Sequence, residues 1–196
     1  VSLPNQERKI YKSFKIPLIG IHNVKNCSAS IAVAIMMGIS VNLIKKAIFK
    51  FKGVQRRFNF IFEHKKSIYY DDYAHHPTEI SSILDGVNKV NTKRKIISVF
   101  EPHRYSRVIS LKKEFSQCFS KSHLVIMCPL YAAGERKDIR FNSINFAKLI
   151  AKNSKTQVII VKNEIELSRY FRKNLISNEI VIGMGAGLIS KWMAGL

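Results

Sequence analysis

Two short runs concentrate the side chains that could do chemistry. One is Asp71-Asp72-Tyr73-Ala74-His75-His76-Pro77-Thr78-Glu79 and the other is Glu101-Pro102-His103-Arg104-Tyr105-Ser106-Arg107. Carboxylates such as Asp71 and Asp72 can accept ribose hydroxyls or help hold a metal, or they can cap local amides at the end of a strand. Imidazoles at a helix N-terminus, the position read for His75 and His76, can donate a hydrogen bond to phosphate, although His76 could equally serve as a plain N-cap. Arg104 and Arg107 lie three apart at a helix start, a spacing suited to forked contacts with phosphate or carboxylate. Two cations at the positive end of a helix cost stability, which argues for an anionic partner over solvated surface arginines.

The elements that must position these groups follow from periodicity. Ser67–Tyr70 and Lys95–Phe100 are short apolar runs that read as strands, and each polar cluster after them opens an amphipathic helix. A possible strand at 58–62 precedes the strand at 67–71, and the helix at 77–90 starts on Pro77 with Ile80, Ile83, Leu84 and Val87 on one face. A helix at about 107–120, a strand over 123–128, a helix from Ser143, a strand over 157–161, a helix capped by Asn163, a strand over 179–182 and a helix over 185–193 complete the alternation. Glu166, three residues after Asn163, has capping-box spacing. Such alternation predicts an α/β fold with a mainly parallel sheet. Four polar clusters then share one sheet edge, the other two being Pro129–Glu135 and Gly183–Gly187. The Gly-x-Gly-x-Gly of the last falls short of a dinucleotide fingerprint and reads as close strand-helix packing.

Before residue 55 the pattern changes. Ile16–Ile21 reads as a strand or extended approach, Asn23–Met37 as a helix apolar nearly all round and therefore buried, and Val41–Lys50 as a second helix with Val41, Ile44, Ile48 and Phe51 at helical spacing. Gly38 and Gly53 act as stop signals, so the chain is expected to divide into 1–54 and 55–196.

Composition narrows the function classes. The 196 residues are 46% hydrophobic, enough for a sizeable core, and no stretch reaches the roughly 20 apolar residues of a membrane span. No signal-peptide pattern opens the chain, and Cys27, Cys118 and Cys128 read as buried reduced thiols of a cytoplasmic protein, without metal-ligand spacing. The net charge is +20, but the lysines are scattered and accompany abundant isoleucine and asparagine, a pattern that A/T-rich coding explains. Nucleic acid is therefore not an expected partner, and neither is a membrane. A positive field that gathers acidic small molecules is the functional alternative.

Taken together, the motifs resemble the Mur ligase family over nearly the whole chain. The resemblance rests on Gly20–Asn26 with Ala29 and Ile31–Ala34, on Phe51–Phe58, on Asp71–Glu79, on Pro102–Arg107, on Tyr131–Glu135 and on Gly185–Gly187. The resemblance implies a Rossmann-like C-terminal domain at 55–196, preceded at 1–54 by the end of a central P-loop-type ATPase domain. It implies ATP-dependent amide-bond formation through an acyl phosphate in peptidoglycan precursor synthesis, with UDP-N-acetylmuramate, L-alanine, ATP and Mg²⁺. His103–Arg107 favours the alanine-adding branch over the murein tripeptide branch, which shares the double histidine.

Carried over residue by residue, the resemblance implies that His22, Asn23 and Asn26 meet adenine, that Arg56 or Arg57 reaches the nucleotide and that Asp72 meets ribose. Tyr73, His75, His76, Arg104 and Arg107 would bind the muramoyl substrate, the amino acid or the transferring phosphate. Glu101 stands where the family often has glutamine, adding a charge beside Arg104 expected to weaken anion binding, and Leu188 where a small or acidic residue is usual. No G-x-x-G-K-T loop occurs, so the catalytic lysine and the Mg²⁺ ligands are expected upstream, in a missing N-terminal half, and the chain alone is expected to be inactive. The alternatives are a nucleotide-binding module without catalysis, a nucleic-acid binder using the +20 charge, and a decayed remnant.

Overall fold

A computed structural model describes residues 10–18, 21–90, 93–174 and 177–196, the His22 side chain excepted. They fall into two compact units that meet between Val54 and Gln55.

The first unit holds α1 (Ile21–Met36) and α2 (Val41–Lys50). Gly38, at φ +79°, closes α1 as a Schellman motif, in which its own N–H donates to Ile35 O and the Ile39 N–H donates to Ala34 O. The expected burial of α1 does not hold. Ile31 is buried, but Val33 and Met36 are 56% and 67% exposed, because α2 is the helix that packs on α1 and one partner covers one stripe. In α2, Ile44 is the buried residue, while Phe51 sits at the C-cap and is exposed. Residues 16–18 are not a strand, residues 19 and 20 lie outside the described residues, and Ile21 already begins α1.

The second unit is built on a six-stranded sheet. Its strands are β1 (Asn59–His64), β2 (Ser67–Asp72), β3 (Lys95–Phe100), β4 (Leu124–Met127), β5 (Gln157–Ile160) and β6 (Glu179–Met184), in the spatial order β1-β2-β6-β3-β4-β5. All pairs are parallel except β1 with β2, a hairpin whose two loop residues, Lys65 and Lys66, both take positive φ. That backbone is the one a two-residue turn between right-twisted strands requires.

Helices α3 (Pro77–Val90), α4 (Tyr105–Ser110), α5 (Lys112–Gln117), α6 (Ser143–Ser154), α7 (Glu164–Asn174) and α8 (Ile189–Ala194) cover the sheet. Alternation along β3 divides the core in two. Ile96 and Phe100 pack with Ile80, Leu84, Phe115, Phe146 and Ile150, while Ile97 and Val99 pack with Leu167, Phe171, Ile189 and Met193. Ser98, the polar residue inside β3, is satisfied by a 2.6 Å hydrogen bond with the Ser122 hydroxyl.

Several details differ from expectation, among them the last helix, which begins at Ile189 and not at 185. The helix expected over 107–120 is two short helices broken at Leu111, whose φ of −108° and ψ of 26° leave the helical region. Asn142, not Ser143, caps α6, its side chain accepting from the Asn145 N–H at 2.9 Å. Asn163 does cap α7, but Glu166 reaches back to the Lys162 N–H, one residue beyond the capping-box partner.

Candidate functional site

The carboxyl ends of β2, β6 and β3 lie side by side, so the segments leaving them meet at one edge. Asp72, the last residue of β2, is 2% exposed and faces inward. One carboxylate oxygen accepts the Phe58 N–H at 2.8 Å and the other accepts the Ala74 N–H at 2.7 Å. Burial pushes its pKa up to about 6, against the opposing pull of those two amides and of Arg57. Through these two amides Asp72 ties the chain entering β1 to the turn leaving β2.

Arg56 is committed in the same way. Its Nη2 donates to Gly185 O at 2.8 Å, its Nε lies 3.5 Å from Asp71 Oδ2, and its guanidinium stacks 4.7 Å from the Tyr73 ring centroid. Ser190 donates to the same Asp71 oxygen at 2.7 Å. Arg56 thus clamps the loops after β2 and β6 within this unit. Arg57 is exposed, its N–H held by Asn59 Oδ1.

The two histidines that follow present the same ring nitrogen, Nε2, in opposite protonation states. His75 Nδ1 lies 2.8 Å from Tyr73 O, a carbonyl that can only accept, so Nδ1 carries the hydrogen and Nε2 keeps its lone pair in the neutral ring. His76 is the N-cap of α3, and its Nδ1 accepts from the Thr78 N–H at 3.3 Å, which leaves Nε2 as a donor. Glu79 accepts from both the His75 and His76 amides, at 3.1 and 3.2 Å, and fixes the pair.

Beyond β3, Glu101 is 3% exposed and does not face Arg104. Its two oxygens accept the Gly187 and Leu188 amides at 2.9 Å each, and burial still raises its pKa. The expectation that Glu101 weakens anion binding is therefore corrected, because the carboxylate is turned into the loop before α8. At Gly187 a Cβ would fall 2.5 Å from Tyr131 Cγ and 2.6 Å from Glu101 Oε2, so the close approach demands glycine. Leu188 contributes its amide to Glu101.

Arg104 is the N-cap of α4 and takes φ 67° and ψ 131°, a sparsely populated backbone for a residue with a side chain. Its N–H is held by Tyr131 O at 2.9 Å, while its exposed guanidinium makes no side-chain hydrogen bond among the described residues. Arg107, one turn on, donates to His103 Nδ1 at 3.2 Å. Burial first, then Arg107, His75 and Arg104, lower the His103 pKa to about 4, so the ring is neutral at pH 7. His103 stacks on Tyr131 with centroids 5.5 Å apart and lies 5.5 Å from the His75 ring. Glu135 accepts from both the hydroxyl and the N–H of Ser106, closing the amino end of α4.

The structure thus brings Tyr73, His75, Arg104 and Arg107 to one edge through a chain of adjacent rings, with His76 beside His75. Sequence reasoning passed over His103 and Tyr131 as site residues, although both stood inside clusters it had marked. Asn23 and Asn26 lie on α1, Asn23 half-buried and Asn26 exposed, and His22 is on the same helix with its side chain outside the described residues. Among the described residues no group of three or more metal-ligating side chains occurs, and no helix is long and apolar enough to cross a membrane. Asp71 Oδ2 is engaged by Arg56 and Ser190, and both Asp72 oxygens accept backbone amides.

A mainly parallel α/β sheet with helices on both faces and its polar loops gathered at the carboxyl edge defines a Rossmann-like domain. The particular family follows from comparison with known proteins. Residues 56–187 match the family described as Mur ligase, glutamate ligase domain, and the chain belongs to the Mur ligase family. It is 48% identical over 196 residues to a UDP-N-acetylmuramate–L-alanine ligase of Pelagibacter ubique, covering 100% of this chain and 42% of that protein. It is 35% identical over 190 residues to the ligase of the same name from Bartonella tribocorum, covering 96% of this chain and 40% of that protein. The crystal structure of UDP-N-acetylmuramate–alanine ligase from Thermotoga maritima superposes with a TM-score of 0.76 at 26% identity, covering 93% of this chain and 38% of that one. The chain spans about two fifths of the length of the curated relatives it matches.

Proposed function

We propose that this chain is the amino-acid-receiving part of an ATP-dependent ligase that joins L-alanine to the carboxyl group of UDP-N-acetylmuramate in peptidoglycan precursor synthesis. Identity of 48% across all 196 residues to a ligase of that name supports the reading. In it, residues 1–54 are the end of the central ATP-binding domain, which carries His22, Asn23 and Asn26 toward adenine, and residues 55–196 are the C-terminal domain.

The reaction has two transfers. The substrate carboxylate oxygen attacks the γ-phosphorus of ATP and ADP leaves, giving an acyl phosphate. The alanine nitrogen then attacks the acyl carbon and phosphate leaves. Alanine arrives with a carboxylate and an ammonium, so its site needs a permanent cation and a proton acceptor. Arg104 and Arg107 supply the cations, and the bare Nε2 of His75 is placed to take the ammonium proton. His76 Nε2–H would hydrogen-bond the phosphoryl oxygens that gain charge. Tyr73 packs beside His75 as a wall of the site. Mg²⁺, when bound, neutralises the ATP phosphates, and by this reading its ligands lie in the upstream part of the ligase.

The observation that carries the reading is Arg104, whose exposed guanidinium makes no side-chain hydrogen bond among the described residues although a strained backbone holds it at the site. The test is a chimaera in which residues 1–196 replace the matching stretch of the Pelagibacter ubique ligase. It should form the amide from ATP, L-alanine and UDP-N-acetylmuramate. Arg104→Ala in that chimaera should raise the KM for L-alanine roughly 10- to 100-fold, the loss expected for one charge-assisted contact. A folded chimaera without ligation, or an Arg104→Ala defect confined to ATP, would sink the assignment.

A further inference from the structure

A second cleft, of about 660 Å³, opens at the opposite, amino edge of the same sheet. It spans the starts of β6, β3, β4 and β5, with Glu179, Lys95, His123 and Lys155 following one another along the edge and Lys121 just before His123. We propose that this cleft binds a small phosphorylated molecule, through Lys121, His123 and Lys155, at a place remote from the carboxyl edge.

Three observations carry this. The lining is polar and its charges are sorted. Glu179 is the acid of the cleft, lies at the β6 end directly opposite Lys95 in the strand register, and is bonded to the Ser67 hydroxyl. Lys95 is thereby matched, while Lys121 and Lys155 at the β4–β5 end face no carboxylate in the cleft. His123 Nδ1 accepts the Ile96 N–H at 3.0 Å, so in the neutral ring Nε2 carries the hydrogen and is a donor between the two lysines in sequence and in strand order. Two lysines and one imidazole N–H lining the same cleft suit the oxygens of phosphate better than a single carboxylate. The volume lies within the range of small-ligand pockets. Tyr170, from α7, also lines the cleft and is half-buried, an aromatic side chain beside the space for the organic part of such a ligand. Burial and the Glu179 charge keep the Tyr170 phenol protonated.

The test uses the 196-residue chain with inorganic pyrophosphate and ATP as probes, titrated by calorimetry at fixed ionic strength. The variant is Lys121→Gln with Lys155→Asn. Asparagine is chosen because Lys155 has φ +53° and asparagine tolerates that backbone, so unfolding midpoints should match the unsubstituted chain. Saturable binding of either probe that weakens about tenfold or more per lysine removed, yet is unchanged in Arg104→Ala, would bear the proposal out. Tighter ATP than pyrophosphate would identify a nucleotide-like ligand, and equal affinities would identify the phosphate group alone. Absent saturation, loss of binding in Arg104→Ala instead, or displacement by a short oligonucleotide with a steep salt slope would overturn it, the last pointing to nonspecific polyanion attraction by the +20 chain.

Discussion

Asp72→Asn separates the two forces acting on the most tightly held carboxylate of the carboxyl edge. Burial raises the Asp72 pKa from 3.8 to about 6, which at about 1.4 kcal/mol per unit is roughly 3 kcal/mol of preference for the protonated form in the folded state. The folded pKa lies above the unfolded one, so the folded chain binds the proton more tightly. Stability linked to this group is therefore present below about pH 4 and is lost as pH rises through about 6. Asparagine has no such titration. It keeps one acceptor for the Phe58 or Ala74 amide but turns an NH₂ toward the other, at a pH-independent cost of about 1–3 kcal/mol. Urea unfolding of both chains from pH 4 to pH 7 gives the difference directly, and the slopes of all other groups cancel. Asp72→Asn should begin less stable than the natural chain at pH 4 and move roughly 2 kcal/mol in its own favour by pH 7, the rest of the titration lying below pH 4. A flat difference would mean that the carboxylate is not desolvated. A difference moving the other way would mean that the two amides outweigh burial, and the account of Asp72 as a costly internal brace would be wrong.

Arg104→Gly should be about 1 kcal/mol more stable than Arg104→Ala in urea, because only alanine keeps the cost of φ 67°, and equal stabilities would remove the claim of backbone strain. The His103 ring should titrate near pH 4 by NMR, and Arg107→Ala should move that midpoint upward, since the guanidinium is the largest charge depressing it; an unmoved midpoint would leave burial as the whole cause. Gly187→Ala should lower stability by about 1–3 kcal/mol, because its Cβ would collide with Tyr131 Cγ and Glu101 Oε2, and an unchanged Tm would show that the loop before α8 is free to shift.

How much of this was legible in the sequence depended on what each feature needs. β2, β3 and α3 were readable because burial on two faces or one stripe writes a local apolar period, and the observed α3 spans Pro77–Val90 as the pattern implied. The carboxyl edge was readable because strand ends can be counted without knowing their spatial order. Neither the insertion of β6 between β2 and β3 nor the antiparallel β1 has a local signature. The exposure of α1 was misread because an apolar helix reports its preference for burial and not the partner that would satisfy it. Side-chain direction was the largest gap. Asp72 and Glu101 stood in the right clusters, but which amides face them is decided by the Phe58 and Gly187 backbones, far away in the sequence.

That gap explains how the edge becomes receptive to anions. The marked clusters contain acids and bases in mixed order, and charge counting along the sequence gives an acidic excess, with Asp71, Asp72, Glu79, Glu101 and Glu135 set against Arg104 and Arg107. The fold sorts them. Asp72, Glu101 and Glu135 accept backbone amides or the Ser106 hydroxyl with both oxygens, Glu79 accepts two amides with one oxygen, and Asp71 Oδ2 is held by Arg56 and Ser190. An amide satisfied by a carboxylate stabilises a loop that would otherwise need a long rigid element, and it also withdraws that carboxylate from the ligand side. What remains facing outward is the Arg104 guanidinium, the Arg107 guanidinium braced by a neutral imidazole, and the donor nitrogen of His76. The same acids thus hold the loops in place while the Arg104 guanidinium keeps free donors, which in the proposed function couples the rigidity of this edge to its choice of ligand.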